Sequence, residues 1–216
     1  TEVAIPQIGW RKPAGDLGSL RLSGRFGEGS LEVIDPVRIS AADLEARGRI
    51  DFSRGDVQRV ALRQLRGPLT DISGDARRDA TGGWRITFTG EQLNVPALFA
   101  NEGDDDTMQE VATEADATSE LPDCSIEGTI GRLWIGEDVY LRDFETSLLV
   151  SSGRWESFSA SATDNAGIAW RARIAPEQPR RRSLDVRIGD AGTVLRNLRL
   201  YEHVHGGRLS INGTFD

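Results

Sequence analysis

A single pattern of alternating apolar and polar residues occurs near each end of the chain, over Gly18–Phe26 and again over Gly207–Phe215. Both copies have glycine at the first and seventh positions and phenylalanine at the ninth. Alternation with a period of two places every second side chain on the same side of an extended strand. The pattern therefore predicts a half-buried β-strand at each end. The second copy stops one residue before the chain does, and we expect the sheet to continue beyond Asp216 in a longer parent protein.

The same alternation recurs between these ends and is separated by glycine-containing turns. It covers residues 44–52, 84–88, 126–130, 170–174 and 184–188. About a dozen short strands with hairpin-length connections favour an antiparallel meander. The predicted fold class is all-β, with one long, twisted, mostly antiparallel sheet and one or two short helices.

Three segments depart from clean alternation. The spacing of apolar residues over Val57–Leu65 fits a strand with a bulge better than a helix, because turn residues flank it on both sides. Residues 94–99 predict a single helical turn capped by Asn94. Residues 190–201 predict the main helix, which begins at the capping residue Asp190 and has one apolar stripe.

Negative charge is concentrated in residues 101–123, which hold nine acidic residues and no lysine or arginine. Such a segment, without aromatics or periodicity, is typical of a flexible linker or long loop. We therefore predict a first β segment over 1–100, an acidic linker over 101–123 and a second β segment over 124–216. Since the whole chain carries −8, the remainder carries +1. A nearly neutral folded part lacks the basic stripe that nucleic-acid binding requires.

Two stretches resemble a known family. The segment from Asp190 through Gly206-Gly207 to Gly213 resembles the C-terminal region of AsmA-like proteins, the YhdP and TamB group of the Gram-negative envelope. In that group an Asp-Ala-Gly helix leads through a Gly-Gly turn into an alternating strand. Residues 69–98 are similar to another block of the same region. The resemblance covers most of residues 45–216.

The resemblance implies a sheet folded into an open trough (a β-taco) whose apolar side holds lipid acyl chains. It implies a non-enzymatic role in phospholipid transport between the inner and outer membranes, within outer-membrane biogenesis. The parent protein is then anchored in the inner membrane and extends through the periplasm. Its partners are phospholipid or another acyl lipid, the rest of the parent chain beyond Asp216, and components of both membranes.

The candidate lipid-binding residues are apolar residues at alternating strand positions. They are Leu20, Leu22, Phe26, Trp84, Ile86, Phe88, Ile130, Leu148, Val150, Trp170, Ile174, Leu184, Val186, Leu209 and Ile211. The alternative interpretation of the same residues is the core of an ordinary β-sandwich.

Residues that carry catalytic or metal chemistry are sparse. His203 and His205 follow the predicted helix with only Glu202 adjacent, whereas metal sites need three or four converging ligands. Nucleophile-elbow, P-loop and dinucleotide-binding spacings are missing from the sequence. We predict no enzyme activity, no catalytic residues, no metal and no cofactor.

Two charged groups have a structural and a functional interpretation. Asp71, Asp75 and Asp79 are spaced by four, so a strand would place them on one face, where nearby arginines can neutralise them. Paired acids can also serve acid–base chemistry. The run Arg180–Arg182 is predicted to lie in a loop after a strand that ends at Pro176, where it is solvated or touches anionic headgroups.

A second function belongs to another class. An open sheet edge can pair with strands of other proteins. The alternative is therefore a periplasmic scaffold that assists outer-membrane protein assembly. A β-helical polysaccharide enzyme would need clustered acids in a cleft, which the sequence does not contain.

Overall fold

The computed structural model describes residues 3–5, 10–12, 17–95, 122–136, 138–178, 181–193, 203 and 206–215. These residues form strands almost throughout, and the only helical residues among them are 191–193. The strands, in chain order, are β1 (Val3–Ile5), β2 (Trp10–Lys12), β3 (Gly18–Gly27), β4 (Ser30–Ala41), β5 (Leu44–Ser53), β6 (Asp56–Gly67), β7 (Thr70–Arg78), β8 (Trp84–Asn94), β9 (Cys124–Trp134), β10 (Tyr140–Ser151), β11 (Arg154–Thr163), β12 (Ala169–Gln178), β13 (Arg181–Ile188) and β14 (Leu209–Phe215).

Strands β3 to β14 form a single twelve-stranded sheet in sequence order, and β1 and β2 pair separately. The edge strands β3 and β14 do not pair with each other, so the sheet is not closed into a barrel. This confirms the predicted all-β fold with one long, open, mostly antiparallel sheet.

One neighbouring pair departs from the antiparallel pattern, because β8 and β9 run parallel. The pair joins the strands that precede the acidic segment 101–123 to those that follow it. Only Pro122 and Asp123 of that segment lie among the described residues. Asp123 anchors the start of β9, since its carbonyl accepts a hydrogen bond from the Trp84 amide (2.9 Å) and its carboxylate accepts one from the Ser152 amide (2.6 Å).

Several hairpins turn through two residues with left-handed backbone. The φ angles are 49° and 81° at Glu28-Gly29, 53° and 87° at Arg54-Gly55, and 52° and 71° at Ser152-Gly153. Positive φ at both central residues is typical of type I′ turns, whose twist matches that of the flanking strands. These pairs confirm the prediction that glycine-containing turns separate the strands.

The central strands share a belt of β-bulges at the same height. Strand β6 gains an extra residue between Leu62 and Leu65, which confirms the bulged strand predicted over Val57–Leu65. Strand β8 has its irregularity at Glu91, which lies beside Gly131 of β9. Gly131 in turn lies opposite Asp143 of β10, whose φ is 51°. A bulge bends its strand and shifts the alternation by one residue.

One detail of the predicted elements is wrong, and two predicted elements lie partly outside the described residues. Strand β12 does not end at Pro176 but continues to Gln178, where its register with β13 becomes irregular. Proline is tolerated there because the β12 ladder to β11 has already ended at Ile174.

Asp190 caps the start of the predicted 190–201 helix through bonds to Thr193, but residues 194–202 lie outside the described part. The predicted turn at 94–99 begins at Asn94, the last residue of β8, and residues 96–99 are likewise outside.

Candidate functional site: the apolar face of the sheet

The strand registers determine which side chains share a face of the sheet. Directly paired residues on neighbouring strands point to the same side. Val186 pairs with Ile211 and with Ala172, and Ala172 pairs with Ala160. The same step-by-step pairing connects one face of β14 to one face of β3.

All fifteen candidate lipid-binding residues lie on this one face, which we call the apolar face. It continues across the parallel β8–β9 pair, where Trp84 and Ile86 pair with Cys124 and Ile126. At the first edge strand, Leu20 and Leu22 pair with Ile39 and Val37. The apolar face therefore extends across all twelve strands.

Exposure of the apolar face changes from the edges to the centre. Leu20, Leu22 and Phe26 on β3 are 65%, 52% and 69% exposed, and Ile211 on β14 is also exposed. In contrast, Ile130 and Val150 are buried. The remaining candidates are half-buried, and they are Trp84, Ile86, Phe88, Leu148, Trp170, Ile174, Leu184, Val186 and Leu209. Among the fifteen candidates, the exposed side chains therefore all lie on the two edge strands.

The buried centre is a cluster around Ile130, Leu133 and Leu141, with Phe88 and Trp170 packed against it. Beside it the apolar face holds a small cavity of about 100 Å³, lined by residues of β10 to β13 that include Trp170 and Ala172. The centre of the apolar face is therefore packed as a core, whereas its two edges are exposed.

Sequence alternation missed apolar-face residues near the bulges. Leu62 and Leu65 of β6 share this face although they are three residues apart, and so do Leu141 and Phe144 of β10. A period of two places residues three apart on opposite faces, so only the bulge explains their common side. A signal was present at Leu133, which lies three residues after Ile130 with a glycine between them.

The opposite side of the sheet, which we call the polar face, is covered by paired charges. Asp75 bonds both Arg59 and Arg77, and Asp71 accepts two bonds from Arg66 (2.9 and 3.0 Å). Burial acts to raise the pKa of Asp75, but hydrogen bonds from Arg59 and Arg77 and their charges outweigh it, so the pKa lies below its ordinary value. The Asp75 carboxylate therefore stays ionised and paired with arginine, which does not suit acid–base chemistry.

Asp79 corrects the prediction that three aspartates share a strand face, because β7 ends at Arg78. Its carboxylate instead accepts bonds from the amides of Thr81 (2.8 Å) and Gly83 (3.1 Å). A further bond from the Thr81 hydroxyl is the largest cause that lowers the pKa of Asp79. Asp79 therefore shapes the turn between β7 and β8.

The polar face has the larger concavities. One of about 590 Å³ follows the bulge belt from Arg63 to Glu145, and one of about 770 Å³ lies over β9 to β12. Hydroxyl groups line the second, and two of them, on Ser147 and Ser159, bond each other at 2.9 Å.

The prediction that Arg180–Arg182 lie in a loop is wrong for Arg182. Arg182 belongs to β13, is buried, and lies on the apolar face opposite Pro176. Its Nη2 donates to Oε2 of Glu156 at 2.6 Å, and this carboxylate neutralises a charge whose burial would otherwise be costly. Arg181 is exposed and bonds Thr214, while Arg180 lies outside the described residues.

No group of three or more histidine, cysteine, aspartate or glutamate side chains that could hold a metal occurs among the described residues. His203 is exposed, and His205 lies outside them. Within the same part of the chain, helices of the length and hydropathy needed to cross a membrane do not occur.

Comparisons of the chain with protein-family models, curated proteins and solved structures give no match. An AsmA-like identity is therefore a proposal that depends on the residues of the chain alone.

Proposed function

We propose that this chain is a segment of an AsmA-like bridge protein whose apolar face carries phospholipid acyl chains between the inner and outer membranes. The observation that carries the proposal is the continuity of the apolar face, on which fifteen residues from both halves of the chain lie together across twelve strands. Exposed large apolar side chains lie on this face at β3 and β14, and exposed apolar surface on a protein usually marks an interaction site.

The dimensions and chemistry of the face suit transport of acyl chains. Twelve strands at a spacing of about 4.8 Å span roughly 55 Å, which is a section of a bridge across the periplasm. Contacts between acyl chains and aliphatic or aromatic side chains are non-directional. No position along an acyl chain therefore has to meet a particular residue. Such contacts let a chain slide, and transport needs no bond to be made or broken. In this proposal the parent protein is anchored in the inner membrane.

The test is native mass spectrometry of the purified chain together with extraction of bound lipid. We expect acyl lipid to co-purify with it. Leu22→Lys combined with Ile211→Lys places a charge on the exposed part of the apolar face at both edges and should remove most of that lipid. Both side chains are exposed, so the fold is retained.

The matched control uses the neighbouring residues on the opposite face of the same strands. Ser23→Lys combined with Ser210→Lys adds the same charge to the same edges, and lipid binding should stay unchanged. Equal lipid loss in both variants, or no lipid in the unmodified chain, contradicts the proposal.

A second candidate is a scaffold for outer-membrane protein assembly, and it is favoured by the two edges. Within the described residues, β3 and β14 each pair on one side only. An unpaired edge offers backbone groups to a client strand. Ile211→Pro should then abolish binding of a client β-strand peptide and leave lipid uptake unchanged. If the protein only transports lipid, neither the unmodified chain nor the variant should bind the peptide.

A further inference from the structure

Three arginines stand in register on the polar face at the β3 end of the sheet. Arg21 of β3 pairs directly with Arg38 of β4, and Arg38 pairs directly with Arg47 of β5. Directly paired residues on antiparallel strands have Cα atoms about 5 Å apart. Like charges at such positions repel each other and destabilise the sheet.

Arginines on the neighbouring strands β6 and β7 are paired with acidic residues. On β6 and β7 the polar-face arginines Arg59, Arg63, Arg66 and Arg77 each have an aspartate within ion-pair distance. In the row of three, only Arg47 has an acidic partner, Glu45 at 3.8 Å. Arg21 and Arg38 have no acidic partner within the described part of the chain. Arg21 and Arg38 therefore keep positive charge that no acidic side chain among the described residues neutralises.

The row also lines a concavity. A cavity of about 360 Å³ is bounded by the three arginines together with Ser19, Ser40 and Glu45. Ser19 and Ser40 pair directly with each other, so two hydroxyl groups lie beside the guanidinium groups on adjacent strands. Guanidinium and hydroxyl donors that converge on one hollow are the groups that bind tetrahedral oxyanions.

We propose that this arginine row is a binding site for a phosphate-class oxyanion. The guanidinium groups of Arg21 and Arg38 are the main contacts, the serine hydroxyls add neutral donors, and Glu45 restricts the anion to the β3 side by pairing with Arg47. The anion is either a free phosphate or the phosphate of a lipid headgroup. The site lies on the face opposite the acyl-binding surface, so it is independent of the proposed function.

Calorimetric titration with inorganic phosphate is the first test. Arg38 is the centre of the row, and Arg38→Gln should weaken phosphate binding by about tenfold or more, since a charged hydrogen-bond donor is lost. Arg54→Gln removes the same charge from the exposed β5–β6 turn and should change binding less than about twofold. Without phosphate, Arg38→Gln should unfold at the same temperature as the unmodified chain or a higher one, because repulsion within the row is relieved.

Vesicles distinguish the source of the anion. Phosphatidylcholine vesicles with and without phosphatidylglycerol are used in flotation experiments. Binding that requires the anionic lipid, is lost in Arg38→Gln and is competed by inorganic phosphate assigns a headgroup. Phosphate binding without vesicle binding assigns a small anion. The proposal is overturned if phosphate does not bind, if Arg38→Gln and Arg54→Gln lose equal affinity, or if vesicle binding is not competed by phosphate.

Discussion

Large apolar side chains on this sheet lie over glycines of the neighbouring strand. The ring of Phe88 covers its direct partner Gly128 so closely that an added Cβ would come within 2.1 Å of the ring. Ile72 covers Gly90 in the same way, at 2.6 Å. Each large residue therefore requires a missing side chain next to it. The glycines of alternating strands are thus part of the apolar face rather than interruptions of it.

Gly128→Ala is expected to destabilise the fold by about 1–3 kcal/mol, because the Phe88 ring must leave its position in a packed cluster. Gly213→Ala is the matched control, since it adds a methyl group to the same face where no atom lies within 4 Å. It should change the free energy of unfolding by less than about 0.5 kcal/mol. Urea unfolding followed by tryptophan fluorescence measures both, and equal effects would contradict this role of Phe88.

At the scale of single elements, the bulge belt decides which residues meet. The left-handed backbone at Asp143 accommodates one extra residue in β10. Leu141 and Phe144 therefore point to the same face. Without the bulge, one of the two would point to the polar face. The bulges thus keep the apolar face continuous through the centre of the sheet.

Asp143→Val should destabilise the fold by about 1–2 kcal/mol, because a β-branched residue is strained at a φ of 51°. Asp143→Gly accepts that backbone without strain and should equal the unmodified chain or exceed its stability slightly. Thermal unfolding measured by circular dichroism compares the two. If valine and glycine unfold at the same temperature, the bulge does not constrain this position.

The strands were predictable from sequence where alternation is unbroken, and less so where it is not. Trp84, Ile86 and Phe88 follow a period of two, so their common face could be expected from the chain alone. Leu62 and Leu65 could not be assigned to one face, because a bulge is fixed by the neighbouring strand and leaves only a weak local signal. The burial of Arg182 was also unpredictable, since its partner Glu156 lies two strands away in the sheet.

At the scale of the whole molecule, each strand of the sheet depends on its immediate neighbours. The strands follow one another in sequence order, so backbone hydrogen bonds connect only adjacent strands. Stability of such a quasi-one-dimensional array is close to a sum of nearest-neighbour terms. The centre adds burial, since Ile130 is 1% exposed, whereas no residue of β3 is buried.

Hydrogen exchange should therefore be graded along the sheet. Backbone amides of β9 and β10 should exchange most slowly, and those of β3 and β14 most rapidly, because edge strands open without disturbing the buried cluster. Exchange measured by mass spectrometry after proteolysis resolves the individual strands. Uniform protection from β3 to β14 would show that the sheet opens only as one cooperative unit.

The parallel β8–β9 pair determines the relative direction of the two edge strands of the sheet. In a purely antiparallel ladder of twelve strands, the first and last strands point in opposite directions. Because β8 and β9 run parallel instead, β3 and β14 point in the same direction. If a second copy in the same orientation were placed beside the sheet, its edge strand could therefore pair only in parallel. An antiparallel junction at either border requires a strand of inverted direction.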